Sequence, residues 1–226
     1  MDACAPMVAP VEGGTPAAAP GELAAVAATL IQARQTILPK RLAEPAPPAA
    51  EFAQIVAAAG QAPDHGQILP WRLVRVPQAQ RGPLAEVFAA ALLGRDARAT
   101  PEQVAQARDK AYRSPELLLV VVDGERGDPQ IDLHERIVSA GCAVQNMLLM
   151  ATALGYGSAL TSGKALKSAG LRTLFGLGAG EHALCFLSLG TVQSRKRARL
   201  RPVPTDYLRT LGGEPPDEPS RADPLL

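Results

Sequence analysis

The sequence predicts a single mixed α/β domain, and three observations carry the prediction. The chain has 226 residues, 47% of them apolar, enough for one hydrophobic core without disulfide or metal staples. Two continuous apolar runs, residues 117–123 (LLLVVVD) and 183–189 (ALCFLSL), are too short for typical helices and read as buried strands. Between them lies the longest uncharged stretch of the chain, whose first part, residues 137–154, reads as a helix apolar on nearly every face.

The remaining elements follow in order. Residues 1–20 are dominated by Ala, Pro, Gly and Val, cannot build a packed face and are expected to form a disordered arm; they lack the basic start of a signal peptide. Residues 21–33 read as a helix through Leu23, Val26 and Leu30, followed by a proline-marked extended connection. Phe52, Ile55, Val56 and Ala59 give an amphipathic helix over 49–59, closed by Gly60. The turn formers of 61–70 lead to a strand at 71–76. Helices are expected at 84–93 and 101–112, the second capped by Thr100 with Glu102 in its first turn. After the central helix, residues 155–163 read as a loop and 165–175 as one more helix. The folded domain is expected to span 21–201, with a Pro-rich tail at 202–226.

In the central helix, Ser139, Gln145, Asn146 and Thr152, together with the preceding Asp132, His134, Glu135 and Arg136, favour a core or interface helix over a membrane span. Ala140, Gly141 and Ala143 let a second backbone approach closely, and that backbone could come from another copy of the chain.

Composition narrows the function. A net charge of +1 gives no whole-chain field for nucleic acid or an acidic membrane surface, so any anion site must be local. Cys4, Cys142 and Cys185 are odd in number and in no metal-ligand spacing, which suits a reducing, cytoplasmic setting. Three histidines do not suggest a multi-His metal centre. No Gly-x-Ser-x-Gly, Walker loop or paired-Cys zinc pattern occurs. Gly155-Tyr-Gly157 follows a helix rather than a strand and lacks the third glycine of a dinucleotide fingerprint.

What remains is a set of cationic and polar turns. Arg34, beside Gln35 and Thr36 at a helix end, can pair with phosphate, although a surface arginine is the plainer reading. Arg195 and Lys196 follow the last strand and could meet the same phosphate or belong to a solvated tail. His65 sits in a Pro-bounded turn, either structural or able to donate to a ring carbonyl. Leu160, Thr161 and Ser162 expose backbone and hydroxyl groups, or merely cap the next element.

Taken together and in order, these pieces over residues 30–196 resemble the FMN-dependent nitroreductase family, particularly its short members. The matching stretches are LIQARQT (30–36), RLAEPAP (41–47), Ala62-Pro-Asp-His65 with Pro70-Trp71, SAGCAV (139–144), Gly155-Tyr-Gly157, Thr161-Ser-Gly163 and LSLGT (187–191). The resemblance implies an α+β sandwich, a mostly antiparallel sheet flanked by helices, in an intertwined homodimer. It implies FMN between subunits, with NAD(P)H as electron donor and a small nitroaromatic or quinone as acceptor, and no nucleic-acid or membrane partner. Arg34, Gln35 and Thr36 would hold the phosphate and ribityl chain, completed by Arg195 or Lys196. Leu160, Thr161 and Ser162 would line the ring, while Gln61 and His65 would approach it from the other subunit. His65 is the candidate acid or base if a side chain serves as one. Ala33 and Gln35 replace a basic residue and a small hydroxyl of the family pattern, and Lys40 or Arg41 would restore the charge. Gln61 and Leu160 stand where some relatives carry Arg and Trp. The same fold with other flavin chemistry, or a non-catalytic FMN-binding dimer, are the alternatives.

Overall fold

In the computed structural model, which describes residues 20–197 and 200–212, the chain divides into one unit ending at Arg195 and a second beginning at Lys196. The first contains, in order, α1 (Pro20–Ala33), β1 (Leu42–Ala43), α2 (Ala49–Ala59), β2 (Trp71–Arg75), α3 (Arg81–Leu93) and α4 (Pro101–Asp109). It continues with β3 (Glu116–Asp123), α5 (Leu133–Ala153), β4 (Gly157–Thr161), α6 (Ala169–Leu174) and β5 (Glu181–Val192). The second unit holds a short helix, α7 (Pro204–Tyr207). The arm expected at 1–20 falls outside the described residues up to residue 19, as does the tail from 213 onward.

The strands form one sheet in the order β1-β5-β3-β2, with β4 also paired to β5, and every strand pair is antiparallel. With helices on both faces this is the expected α+β sandwich. Its centre follows from residue type: β3 is apolar at successive positions because both of its faces are covered. Leu118 and Val120 pack toward Ile55 of α2 and Met147 of α5. Leu117, Leu119 and Val121 point the other way, toward Leu84, Leu171 and Phe186, as a period of two requires.

Helix α5 begins four residues before the expected 137 because Asp132 caps it: the Asp132 carboxylate accepts from the backbone N–H groups of His134 (2.7 Å) and Glu135 (3.1 Å). Its buried stripe includes Ala140, Ala143, Met147 and Ala151, as the core reading anticipates. The stripe leaves Val138 65% exposed and Gly141 with open space around it. Among the described residues no helix is long and apolar enough to cross a membrane.

Three further expectations change. Residues 155–163 are not simply a loop, since Gly157–Thr161 pairs with β5; a run of small residues carries too weak an alternation to announce a strand. The single helix expected at 165–175 is two pieces, a 3-10 turn (Lys164–Lys167) and α6. Ser168 breaks it by taking an extended conformation and capping α6 with its hydroxyl, which accepts from Leu171 N–H at 3.2 Å. Helix α4 opens with the expected Thr100 cap, reciprocated by the Gln103 side chain, but ends at Asp109 and passes into a 3-10 turn (Lys110–Tyr112).

Candidate functional site

Arg34, Gln35 and Thr36 leave α1 and run alongside the start of β4. Thr36 forms a parallel bridge with Ser158, and Ile37 N–H donates to the Ser158 carbonyl at 2.9 Å. Gly157 leaves room for the side chains packed at this corner: a Cβ there would lie 2.6 Å from Leu42 Cδ2, 2.8 Å from Val192 Cγ2 and 3.2 Å from Ile37 Cβ, the first two closer than packed carbons tolerate. Arg34 and Gln35 are half-buried and Thr36 exposed. The Ser158 hydroxyl, in the same corner, is buried without a hydrogen-bond partner, an exception for a buried polar group.

Three residues along β4, roughly 10 Å at the usual rise per residue, come Thr161 and Ser162. Both line a cavity of about 800 Å³ between the sheet, α3 and α4. Leu160, just before them, is 43% exposed. Lys40 lines the cavity as well, and the carbonyl of its neighbour Arg41 accepts from Gln193 N–H at 2.9 Å. That bond holds the Lys40-Arg41 turn two residues from Arg195, which is exposed. Arg34, Lys40, Arg41 and Arg195 therefore all belong to segments tied to β4 or to the end of β5. Lys196 is exposed and opens the second unit.

Gln61 and His65 belong to a different place. Their turn is built from backbone conformations that few residues adopt: φ is +69° at Gly66, +52° at Gln67 and +46° at Leu69. An Asp64 carboxylate oxygen accepts from Leu69 N–H at 2.7 Å and ties the turn together. Two bonds dock it on α5: His65 Nδ1–H to the Glu135 carboxylate at 2.8 Å, and Trp71 Nε1–H to the Ser139 hydroxyl at 3.1 Å. The α5 side of the dock is fixed by Arg136, buried, which donates to the carbonyls of Ile131, Asp123, Arg126 and Asp128. Gln61 and His65 are exposed and do not line the cavity. Within one chain the structure thus brings residues 34–36, 160–162 and 195 to one edge and leaves Gln61 and His65 at another.

Sequence reasoning missed several members of these arrangements. Glu135, the partner of His65, lies seventy positions away and carries no local signal. Arg95, Lys110, Arg113 and Lys164 reach the cavity from separate elements, so no spacing rule could group them. Cys185, a free thiol, is no candidate nucleophile, because burial pushes its pKa up to about 11 and keeps it protonated. Among the described residues no cluster of three or more His, Cys, Asp or Glu side chains is arranged to hold a metal ion.

Comparison with known proteins matches residues 31–191 to the Nitroreductase family. A relative in Escherichia coli K12, named "Putative NAD(P)H nitroreductase YdjA", is 32% identical over 74% of this chain and 91% of its own length. Among solved structures, a nitroreductase-like family protein from Bacillus cereus superposes with a TM-score of 0.68 at 19% identity, over 82% of this chain and 96% of its own. The NADPH:FMN oxidoreductase from Vibrio harveyi, solved with NAD+, gives 0.66 at 18% identity, over 85% and 80%.

Proposed function

The chain belongs to the nitroreductase family, and from that premise we propose that it is an FMN-dependent oxidoreductase that uses NAD(P)H to reduce an electron-poor acceptor such as a nitroaromatic or a quinone. The observation that carries the reading is the β4 edge. The stretch 34–36 sets Thr36 beside Ser158, and at the far end of the same strand Thr161 and the following Ser162 line an open cavity.

The donor set fits FMN. Arg34, Thr36 and Arg195, with Arg41 held close by through Gln193, offer guanidinium and hydroxyl donors suited to a phosphate and a ribityl chain. Lys40 or Arg41 supplies the charge that Ala33 lacks. Leu160 covers a ring, and the Thr161 and Ser162 hydroxyls and backbone give its edge hydrogen-bond donors. The buried, unpartnered Ser158 hydroxyl lies where a polar ligand atom or water would complete it. When bound, FMN supplies the two-electron chemistry. For a nitroaromatic, one turnover converts NAD(P)H, a proton and ArNO2 into NAD(P)+, ArNO and water.

The chain's part is to orient and to stabilise charge. Positive groups beside a ring that gains electrons favour the reduced, anionic form. No side chain is required as acid or base, since water can deliver the proton; His65, held by Glu135, is the candidate where a side chain serves. The separate location of Gln61 and His65 fits a homodimer in which these residues come from the partner. Exposed Leu23 and Val26 on α1 and Val138 on α5 supply apolar surface for such an interface.

The test is the absorbance spectrum of purified protein before and after anaerobic NADH or NADPH. Flavin bands that bleach with reductant and return with a nitroaromatic or quinone are expected. Colourless protein that FMN does not reconstitute would overturn the reading. Arg34→Ala and Arg195→Ala should each weaken FMN retention, and light scattering at micromolar concentration should give the mass of a dimer.

A further inference from the structure

We propose that the cavity between α3, α4 and β4 takes the electron acceptor and is built for an anionic aromatic molecule, one carrying a carboxylate or similar acid group. The inference rests on the proposed function through Thr161 and Ser162, which line the cavity and are assigned there to the flavin ring.

The cavity has two chemistries. Its floor is apolar, with Phe88, Leu117, Leu166 and Phe186, and accepts a planar hydrocarbon body. Its other lining residues include five cations, Lys40, Arg95, Lys110, Arg113 and Lys164, and no carboxylate. Those five come from five places in the chain: the turn before β1, the residue following the turn that ends α3, the turn after α4, the approach to β3 and the turn after β4. They meet only because the fold brings them to one concavity. In a chain whose net charge is +1, such a one-signed set is a local field that attracts an anion.

Some other arginines of the chain are paired. Arg108, on the same helix as the residues leading to Lys110, makes a two-pronged bond to Glu86. Arg75 does the same with Glu116, and Arg72 with Glu181. Among the described residues none of the five cavity cations has an ion-pair partner. All five are exposed, so they can follow a ligand into the cavity without a large desolvation cost. Arg34 and Arg195 do not line this space; Lys40 stands where the cavity meets the phosphate corner, so the acceptor's charge is read chiefly by Arg95, Lys110, Arg113 and Lys164.

The test is equilibrium dialysis of the purified holoprotein against a matched pair, 4-nitrobenzoate and 4-nitrobenzamide, which differ in charge and little in shape. The benzoate should bind about tenfold more tightly at low ionic strength, with the preference fading as salt shortens the screening length. In the double variant Arg95→Gln, Lys110→Gln the preference should collapse toward unity while the amide keeps its affinity. Both positions are exposed, and an unchanged thermal melt verifies that the variant is folded. Equal affinity for the pair in the native protein, or a preference that survives the double substitution, would overturn the proposal. A loss of NADP+ affinity in the variant with the benzoate preference intact would overturn it too, and assign the cavity to the nucleotide. Binding is read without turnover, so a protein that fails to oxidise NAD(P)H sinks the proposed function while leaving this measurement decisive.

Discussion

The two faces of the central sheet start from the same strands and end differently. Toward α2 and α5 the face is sealed: Ile55, Met147 and Leu187 have no exposed surface, and alanines at 140, 143 and 151 let α5 lie close. Toward α3, α4 and α6 the inner part is equally dry, with Leu84, Leu119 and Leu171 fully buried. Phe186 and Leu117, however, border an open cavity of about 800 Å³. The arginines teach the same lesson. Arg136 and Arg81 are buried and commit their donors to backbone carbonyls, so they hold loops in place. The cavity cations have no such partners and remain available to a ligand. Position in the fold, not residue type, decides which arginines are tied to backbone carbonyls and which are not.

Four substitutions sharpen or break that comparison. Met147→Ala on the sealed face should cost about 2–5 kcal/mol, because little can relax into the space left behind; urea denaturation reads it, and a loss under 1 kcal/mol would mean the face is not closely packed. Arg81→Met follows at about 3 kcal/mol. It strips hydrogen bonds from the carbonyls of Val76, Ala111 and Pro115 and loosens the junction of α3 with the sheet.

Next is Glu181. Its hydrogen bond from Arg72, helped by the Gly178 backbone N–H, holds its carboxyl down at about 2. A depressed carboxyl stabilises the fold above its unfolded value, near 4.3, and that stability disappears as pH falls toward about 2. Glu181→Gln should therefore melt below the native protein at pH 7, by on the order of 1 kcal/mol given the half-exposed Arg72. The gap should close between about pH 4 and 2; a gap independent of pH would exclude the ionic origin. The smallest effect belongs to Arg95→Gln, expected within about 0.5 kcal/mol of the native stability, since this arginine bonds nothing that the fold needs.

Much of the fold was legible where one periodicity dominated. The α2 helix begins and ends at the expected residues because Phe52, Ile55, Val56 and Ala59 keep one face and Gly60 follows. The run at 117–123 is a strand for the reason given by its residues, apolar on both sides. Strand β4 was not legible, because its pairing depends on β5 and on Gly157 admitting Leu42 and Val192, neither of which leaves an alternation in the sequence. Of the proposed site, Arg34, Thr36, Thr161 and Ser162 could be singled out by resemblance; the structure adds that Thr36 bridges Ser158 on the strand that ends at Thr161. The His65–Glu135 bond and the ring of cavity cations were beyond reach.

The sequence by itself determined the sealed core, the buried central helix and the order of helices and strands apart from β1 and β4, because burial of apolar residues at period 2 or 3.6 is a local property that each segment carries alone. Only the tertiary structure decided that Lys40, Arg95, Lys110, Arg113 and Lys164 share one concavity and that His65 rests on Glu135. Those juxtapositions join residues from distant segments, and a charge acts through space at distances that chain order does not encode.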